Sequence, residues 1–375
     1  MSQLFTSVQN NSVSIPVWLD DLIFSQLSAV YEPQYKDFVV LEWTKTEIQK
    51  YLGTYFPRSF AESLCIFSKY FSERHEEYKD ISELSLFDFG CGTGGEIVGF
   101  ILAVSQKIPH IKTINVYAVD GNRYALIDLE RVLASTASET CVDINTNIIP
   151  LKIDDFYDME ILDNLITKKF DFIISFKAIS EFVTKQQFNT LNPYEYFLNA
   201  FLPKLSDVGT ICVADVSSFN QISKEWLPIM MDNAVTSCGK ADMIDRNIDF
   251  NECYYISHSK KANDVSNIFW RILKTKASQP IKKDSSSDVK KDEWEELCKQ
   301  MLSFFDENDH DSSKDKKLRL ASLIEAQRQH PNNLKAVLEA LLEKDEWKTA
   351  KNHKPKKIFH QMHKTFSPSE QGTFF

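Results

Sequence analysis

The 375-residue sequence lacks the features that mark metal frameworks, disulfide scaffolds and membrane spans. Its seven cysteines are scattered, odd in number and without a Cys-x-x-Cys pair. This usage excludes a recognisable zinc or disulfide framework and is typical of reduced, mostly buried thiols in a cytosolic protein. The longest apolar run, Ile97 to Val104, is far too short to span a bilayer.

Basic residues are also fewer than acidic residues. The formal net charge of −10 argues against a broadly basic surface for nucleic acid. The first six residues, Met1 to Thr6, lack the basic-then-apolar layout of a signal peptide. We therefore expect a cytoplasmic protein with no membrane partner.

Glycine is scarce, yet four of the ten glycines lie within Leu84–Val98. An apolar run ends at Asp88, and a helical pattern starts soon afterwards. Between them Gly90, Gly92 and Gly94 alternate with small residues. The pattern predicts a buried strand, a tight turn and a helix N-terminus, where glycine permits positive φ and close approach of a ligand to the backbone.

The spacing Asp88-x-Gly90-x-Gly92-x-Gly94 resembles the first motif of class I S-adenosylmethionine-dependent methyltransferases, acidic-x-Gly-x-Gly-x-Gly. The resemblance implies S-adenosyl-L-methionine as cofactor, with this loop, Thr93 included, among the cofactor-binding residues. The same stretch also matches the Gly-x-Gly-x-x-Gly pattern of dinucleotide-binding proteins. The glycines alone leave both cofactors open.

Strand and helix patterns alternate after residue 84, which predicts a parallel sheet covered on both faces. Two alternating apolar runs, 251–259 and 267–276, then predict an antiparallel hairpin across a short polar turn. Methyltransferases of this class end in such a hairpin, whereas a dinucleotide-binding sheet continues with a parallel strand. The five preceding strands are predicted at 84–88, 114–120, 148–153, 170–176 and 208–216.

The predicted fold is therefore α/β, a class I methyltransferase (Rossmann-like) seven-stranded sheet with an antiparallel terminal hairpin and helical extensions at both ends. The predicted divisions are a helical N-terminal region, the S-adenosylmethionine-binding domain, a polar linker, and C-terminal helices with a basic tail. They cover residues 1–82, 83–277, 278–292 and 293–375.

A helix is predicted just before the first core strand. Ser59 and Glu62 have the spacing of a capping box, and Pro57 is expected to stop any helix entering from upstream. Plain packing on the core is the favoured role for this helix. The alternative, from the resemblance, is that Tyr55, Arg58 and the following turn cover the cofactor.

Acidic residues follow the second and third core strands. Asp120 ends the second strand 26 residues beyond Gly94, where a carboxylate can accept both ribose hydroxyls of S-adenosylmethionine or of NAD. After the third strand, the resemblance implies that Asp154 or Asp155 contacts the adenine amino group and that Phe156 contacts the ring. A solvated turn is the alternative for the unused aspartate.

The fourth strand ends in the place where methyltransferases keep residues for the acceptor. Sites in open α/β sheets lie at the carboxyl ends of the strands. By position, Phe176 joins the cofactor set, and Ser175, Lys177 and Glu181 are the catalytic candidates. The residues do not show which of them takes part in chemistry.

The acceptor is not marked by any motif. A cysteine placed for cytosine C5 methylation is missing, as are an Asn/Asp-Pro-Pro-Tyr motif after the fourth strand and zinc spacing for thiol methylation. Tyr55–Glu62 and Ile179–Phe182 resemble the mitochondrial-ribosome small-subunit methyltransferase-like family. That family also carries iron–sulfur cysteines, whose pattern this sequence does not show.

We therefore expect an S-adenosylmethionine-dependent methyltransferase, with RNA or protein favoured over a small molecule as acceptor. The alternatives are a catalytically silent methyltransferase-like subunit that binds a partner and, third, a NAD-dependent dehydrogenase. Six lysines and no acidic residue lie within Lys348–Lys364. This segment could contact nucleic acid or an acidic partner, although a solvated tail is the favoured interpretation.

Overall fold

A computed structural model of the chain describes residues 8, 10–33, 43–153, 155–157, 162, 165–184, 187–189 and 191–276. Four sequence predictions lie outside these described residues: Asp154, the linker 278–292, the C-terminal helices within 293–375 and the basic segment Lys348–Lys364. They stay predictions.

The N-terminal region is mostly helical and begins with a short strand that the sequence patterns did not predict. Its elements are β1 (Ser12–Ser14), α1 (Val17–Asp21) continued by a π-helical turn (Leu22–Gln26), α2 (Lys45–Arg74) and a 3-10 turn (His75–Tyr78).

Helix α2 corrects the prediction of a helix start at Ser59. It runs unbroken through Pro57, and its N-terminal capping box is formed by Thr44 and Glu47 instead. A proline inside a helix costs about 3 kcal/mol locally. Helix residues on both sides of Pro57 are buried at intervals of four in one core, and this packing outweighs the local cost. They are Leu52, Phe56, Phe60 and Leu64.

Strands and helices then alternate as predicted, with the exception of a few boundaries. The first elements are β2 (Glu83–Phe89), α3 (Gly95–Lys107), β3 (Thr113–Asp120), α4 (Arg123–Thr140), β4 (Asp143–Pro150), β5 (Phe170–Phe176), α5 (Ile179–Phe182) and α6 (Pro193–Phe201). They are followed by β6 (Leu205–Asp215), β7 (Phe219–Asn220), β8 (Glu225–Trp226), α7 (Leu227–Cys238), β9 (Ala241–Arg246), β10 (Glu252–His258) and β11 (Lys261–Thr275).

The central sheet has the strand order β1-β10-β11-β6-β5-β2-β3-β4, and β9 pairs with β11 as well. Strands β2 to β6 are mutually parallel, whereas β11 is antiparallel to both β6 and β10. The predicted seven strands and terminal hairpin are therefore confirmed, and the arrangement is that of the class I methyltransferase fold. Strands β1 and β9 extend the sheet to nine.

One strand boundary was wrong. The third core strand was predicted at 148–153 but is β4, Asp143–Pro150. Its first half is polar and solvent-exposed, because β4 is the edge strand of the sheet and is paired only with β3. An edge strand of this kind lacks the apolar run on which the prediction depended.

Two apolar layers cover the sheet. Helices α2, α3 and α4 bury one face, and helices α6 and α7 bury the other. In the first layer Phe67, Phe71, Phe100 and Phe172 contact one another edge-on, with ring centroids 4.8–5.9 Å apart for the pairs that include Phe100 or Phe172. None of the described helices is both long and apolar enough to cross a membrane.

Helices α2 and α3 approach most closely at Gly99. A β-carbon added there would lie 2.5 Å from the Phe60 carbonyl oxygen and 2.8 Å from the Leu64 nitrogen. Both are backbone atoms, so the helices would have to separate. We expect Gly99→Ala to lower the free energy of unfolding by about 1–3 kcal/mol, measured by urea denaturation.

The control for this change is Lys107→Ala at the exposed end of the same helix. An exposed substitution of this kind is expected to change stability by less than about 0.5 kcal/mol. Equal unfolding free energies for the two variants would show that the helices do not pack this closely.

Candidate functional site

The glycine turn after β2 has the conformation that its spacing predicts. Gly90, Gly92 and Gly94 have φ values of 75°, 48° and 80°, which belong to the left-handed region that favours glycine. The N–H groups of Gly90 and Cys91 donate to the Val119 carbonyl at 2.9 and 3.1 Å. These bonds hold the turn against the end of β3.

The same turn lies beneath neighbouring side chains. A β-carbon on Gly90 would lie 2.4 Å from Cβ of Ala178, and one on Gly92 would lie 3.2 Å from the phenol oxygen of Tyr51. The turn therefore faces α2 and the segment after β5. Thr93, the small residue between Gly92 and Gly94, is buried, and its hydroxyl has no hydrogen-bond partner among the described residues.

Asp88, at the end of β2, is fully buried, and neither carboxyl oxygen has a hydrogen-bond partner of normal geometry in the described part of the chain. Burial raises the pKa of Asp88 well above its usual range, and the nearby carboxyl groups of Glu96 and Asp120 raise it further. Burial likewise raises the pKa of Glu96, in the first turn of α3, to about 7. An unpaired buried carboxyl group of this kind is costly without a ligand.

Asp120 lies at the end of β3, beside the glycine turn. One of its carboxyl oxygens accepts the Gly92 N–H at 2.9 Å, and the other accepts the Asn122 N–H at 2.7 Å. Burial raises the pKa of Asp120 despite these bonds. Asp120 therefore braces the turn, and each oxygen still has a second lone pair for a ligand hydroxyl.

The residues at the end of β5 have very different surroundings. The Ser175 hydroxyl donates to the Phe89 carbonyl at 3.1 Å, and Ser175 and Phe176 are both buried. Lys177 has a φ of 59°, a strained value for a long side chain. Its ammonium group donates to both carboxyl oxygens of Glu62, at 2.8 and 3.1 Å.

Glu62 is the residue whose role the sequence prediction missed. It is completely buried in the middle of α2, pairs with Lys177 and accepts a short hydrogen bond from the Ser266 hydroxyl on β11. No local signal marked it, because Glu62 is two residues from Phe60 and so lies across the helix from the apolar stripe of Phe60 and Leu64.

Glu181 lies in the short helix α5 that follows β5. The residue as a whole is exposed to solvent. Neighbouring protein atoms nevertheless bury its carboxyl group enough to raise its pKa to about 8, and the Asp215 charge raises it further. Asp215 ends β6, and burial raises its pKa to about 6. It accepts the Ser180 N–H at 3.0 Å and the Tyr194 hydroxyl at 3.0 Å.

Two tyrosines of α2 lie near Glu181. Tyr51 and Tyr55 stack at 5.1 Å, and the Arg58 guanidinium lies 5.7 Å from the Tyr55 ring centroid. The charge of Glu181 contributes to the raised pKa of both phenols, although burial is the larger cause. Arg58 itself is held by Asp264, with both nitrogen–oxygen distances 2.8 Å.

Two residues of the predicted adenine contact are described. Phe156 is buried and packs on Phe89, Tyr157 and Tyr196 at 5.6–6.1 Å. Asp155 is exposed and accepts the Tyr157 N–H at 3.0 Å. A contact between either residue and a cofactor stays a prediction, as does the cofactor contact of Phe176.

The site suits a cationic ligand, because a cation would stabilise the ionised form of the carboxyl groups, whose pKa values are raised. The charge of Lys177 would not oppose such a ligand, because it is already paired with Glu62. No group of three or more metal-ligating side chains occurs within the described ranges. A shallow pocket of about 650 Å³ lies elsewhere, at the amino ends of β3 and β4 beside Thr113 and Asp143, and contains none of the predicted site residues.

Comparisons with known proteins agree with the topology but are distant. No protein-family model matches the chain, and no curated protein matches it. Magnesium protoporphyrin IX methyltransferase from Synechocystis PCC 6803, solved with bound S-adenosylmethionine, has a TM-score of 0.37 and 8% identity over 72% of this chain and 99% of its own. Precorrin-6y C5,15-methyltransferase from Geobacter metallireducens has a TM-score of 0.34 and 11% identity over 58% and 89%.

A third similar structure is an RNA methyltransferase candidate from Pyrococcus horikoshii, with a TM-score of 0.36 and 14% identity over 68% of this chain and 98% of its own. All three scores are low, so we draw nothing about activity from them. The class I methyltransferase fold of this chain is instead shown by its own strand order and terminal antiparallel hairpin.

Proposed function

We propose that this protein is an S-adenosylmethionine-dependent methyltransferase whose methyl donor binds over the glycine turn. The observation that supports this most is the unpartnered, buried Asp88 with Glu96 beside it. S-adenosylmethionine carries an ammonium and a sulfonium group, which these carboxyl groups would attract. NAD would bring a doubly negative pyrophosphate to the same turn, which would oppose ionisation of these carboxyl groups and gain no ion pair from them.

Each residue has a definite part in this proposal. Asp88 and Glu96 hold the cationic end of the donor, Asp120 binds the ribose diol, and the glycines let the donor approach the backbone. Thr93, Asp155, Phe156 and Phe176 complete the predicted cofactor set, with Asp154 outside the described residues. The bound donor supplies an activated methyl group.

Calorimetric titration of the full chain with S-adenosylmethionine and with NAD tests the proposal. We expect binding of the first and none of the second. A folded sample that fails to bind S-adenosylmethionine would contradict the proposed function, and binding of NAD alone would favour the dehydrogenase alternative.

Replacing Asp120 tests the cofactor site directly. Asp120→Ala removes charge-assisted hydrogen bonds to the ribose and two braces of the turn, so we expect S-adenosylmethionine binding to weaken by about 1–3 kcal/mol. Asp143→Ala, at the exposed start of β4 and so at the other end of the strand beside Asp120, is the matched control. Equal affinities for the two variants would mean that the ribose partner is another residue.

The acceptor and the cellular setting belong to the same proposal. Transfer of labelled methyl into fractionated lysate shows whether RNA, protein or small molecules are methylated, with RNA or protein favoured. Binding without transfer would instead favour the silent, partner-binding alternative. The free cysteines of the described residues fit a cytoplasmic location.

A further inference from the structure

The three catalytic candidates differ in their access to a substrate. Ser175 is 1% exposed and bonded to a backbone carbonyl, and the Lys177 ammonium group is held by Glu62. Glu181 alone among the three has an exposed side chain, and its carboxyl group makes no hydrogen bond within the described residues. Of the three, Glu181 is therefore the one that an acceptor could reach.

The position of Glu181 is fixed by its neighbour. The Ser180 N–H and hydroxyl both donate to Asp215, at 3.0 and 2.5 Å, and Asp215 also holds the Tyr194 hydroxyl. The end of β6 thus anchors the first turn of α5, so the Glu181 carboxyl group is held in place with little loss of conformational entropy on binding.

Negative charge faces Glu181 from three elements. Asp215 on β6, Asp120 on β3 and Glu96 on α3 all raise its pKa, and Lys177 after β5 is the one nearby cation that lowers it. The Lys177 charge is already matched by Glu62. From α2 come the phenol rings of Tyr51 and Tyr55, which offer aromatic faces.

A second observation indicates that a ligand binds beside these acidic residues. Asp88 is completely buried with both carboxyl oxygens lacking a hydrogen-bond partner of normal geometry among the described residues, and the charges of Glu96 and Asp120, which also act on Glu181, act on it. A buried polar group without a partner needs an explanation, and a ligand from outside the chain supplies one.

We propose that the methyl acceptor is an amine nitrogen and that Glu181 takes a proton from it. This inference rests on the proposed methyltransferase function and adds the class of substrate, an ammonium-bearing molecule such as a protein amine, rather than RNA, whose base amino groups are uncharged at neutral pH. The combination of carboxylate charge and aromatic faces attracts an ammonium group, whereas a carboxylate acceptor would be repelled by Glu181, Asp120 and Asp215.

The methyl transfer needs no reactant beyond the donor, the acceptor amine and water. The acceptor ammonium gives one proton to the Glu181 carboxylate and becomes a neutral amine. The nitrogen lone pair then forms a bond to the methyl carbon while the methyl–sulfur bond breaks, and its electron pair stays on sulfur, which becomes a neutral thioether. The product is a protonated, methylated amine, and Glu181 returns its proton to water.

The raised pKa of Glu181 suits this task. A lysine-like ammonium has a pKa of about 10.4, so transfer to a carboxylate with a pKa of about 8 is unfavourable by roughly two units. Transfer to an ordinary glutamate would be unfavourable by about six units.

Three analogues of S-adenosylhomocysteine test the inference without the natural acceptor. In each, nitrogen replaces sulfur and carries a propyl-length arm that ends in an ammonium, a methyl or a carboxylate group. With the full chain, we expect calorimetry to show about tenfold tighter binding for the ammonium arm than for the methyl arm, and weaker binding for the carboxylate arm.

The variant Glu181→Gln should abolish the preference for the ammonium arm and still bind S-adenosylhomocysteine within about twofold of wild type. Glu83→Gln, an exposed change at the other end of β2, should keep the preference. Equal affinity for the ammonium and methyl arms in the wild-type chain, or an unchanged preference in Glu181→Gln, would overturn the inference. Failure of S-adenosylhomocysteine itself to bind would instead count against the proposed function.

Discussion

Replacing Glu62 with alanine is expected to lower the free energy of unfolding by about 3–5 kcal/mol, the largest effect that we expect of a single substitution. Glu62 is 0% exposed and Lys177 is 9% exposed, so the variant would leave a buried ammonium group without its partner. The strained backbone of Lys177 would also lose the contact that holds its side chain. Urea denaturation followed by circular dichroism measures the change.

Two further variants test whether the loss of stability comes from leaving a buried charge unpaired. Lys50→Ala breaks a half-exposed ion pair with Glu32 and should cost no more than about 1 kcal/mol. The double variant Glu62→Leu with Lys177→Met removes both buried charges and should recover most of the lost stability. A cost for Glu62→Ala that only equals that of Lys50→Ala would mean that water reaches the Lys177 ammonium group.

The second large effect is a dependence on pH that arises at Glu96. Its pKa is raised by burial from 4.5 to about 7, so the folded protein favours the protonated form. At pH below 4.5 both states are protonated and the group costs nothing. As the pH rises from 4.5 through 7 the unfolded state releases its proton first, and stability is lost.

The size of this loss follows from the shift. Glu96 is 5% exposed, and its contribution to the free energy of unfolding should fall by roughly 2–3 kcal/mol between pH 5 and pH 8. Comparing wild type with Glu96→Gln across this range reports Glu96 together with its effect on the neighbouring Asp88, because more distant titrating residues such as His258 affect both proteins. A constant difference between the two proteins across the range would refute the raised pKa.

Binding of a cationic ligand should lower the raised pKa values of the same carboxyl groups. A cationic donor favours the ionised forms of Asp88 and Glu96, so we expect binding of S-adenosylmethionine near pH 7 to release about one proton. Calorimetry in two buffers with different ionisation enthalpies measures the number released. Proton release that persists in Glu96→Gln would place the titration at Asp88 or Glu181 instead.

Local sequence patterns predicted the regular core well. The strand ending at Asp88, the left-handed glycines and the strand ending at Asp120 depend on short-range features, namely an apolar run, a glycine spacing and a terminal carboxylate. The edge strand β4 was misplaced because half of it is polar. The helix start at Ser59 was wrong because packing on both sides of Pro57 outweighs the local cost of proline.

The sequence by itself determined most of the core strands, the glycine turn and the terminal hairpin, since each depends on patterns within a short stretch of chain. Only the tertiary structure decided which of the predicted site residues are accessible. Lys177 and Glu62 are 115 residues apart in the chain, and Arg58 and Asp264 are 206 apart. No local pattern encodes such pairings, because the cost of burying a charge is compensated by whichever opposite charge the fold brings near it. These pairings hold the charges of Lys177 and Arg58, whereas Glu181 is exposed to solvent among acidic neighbours.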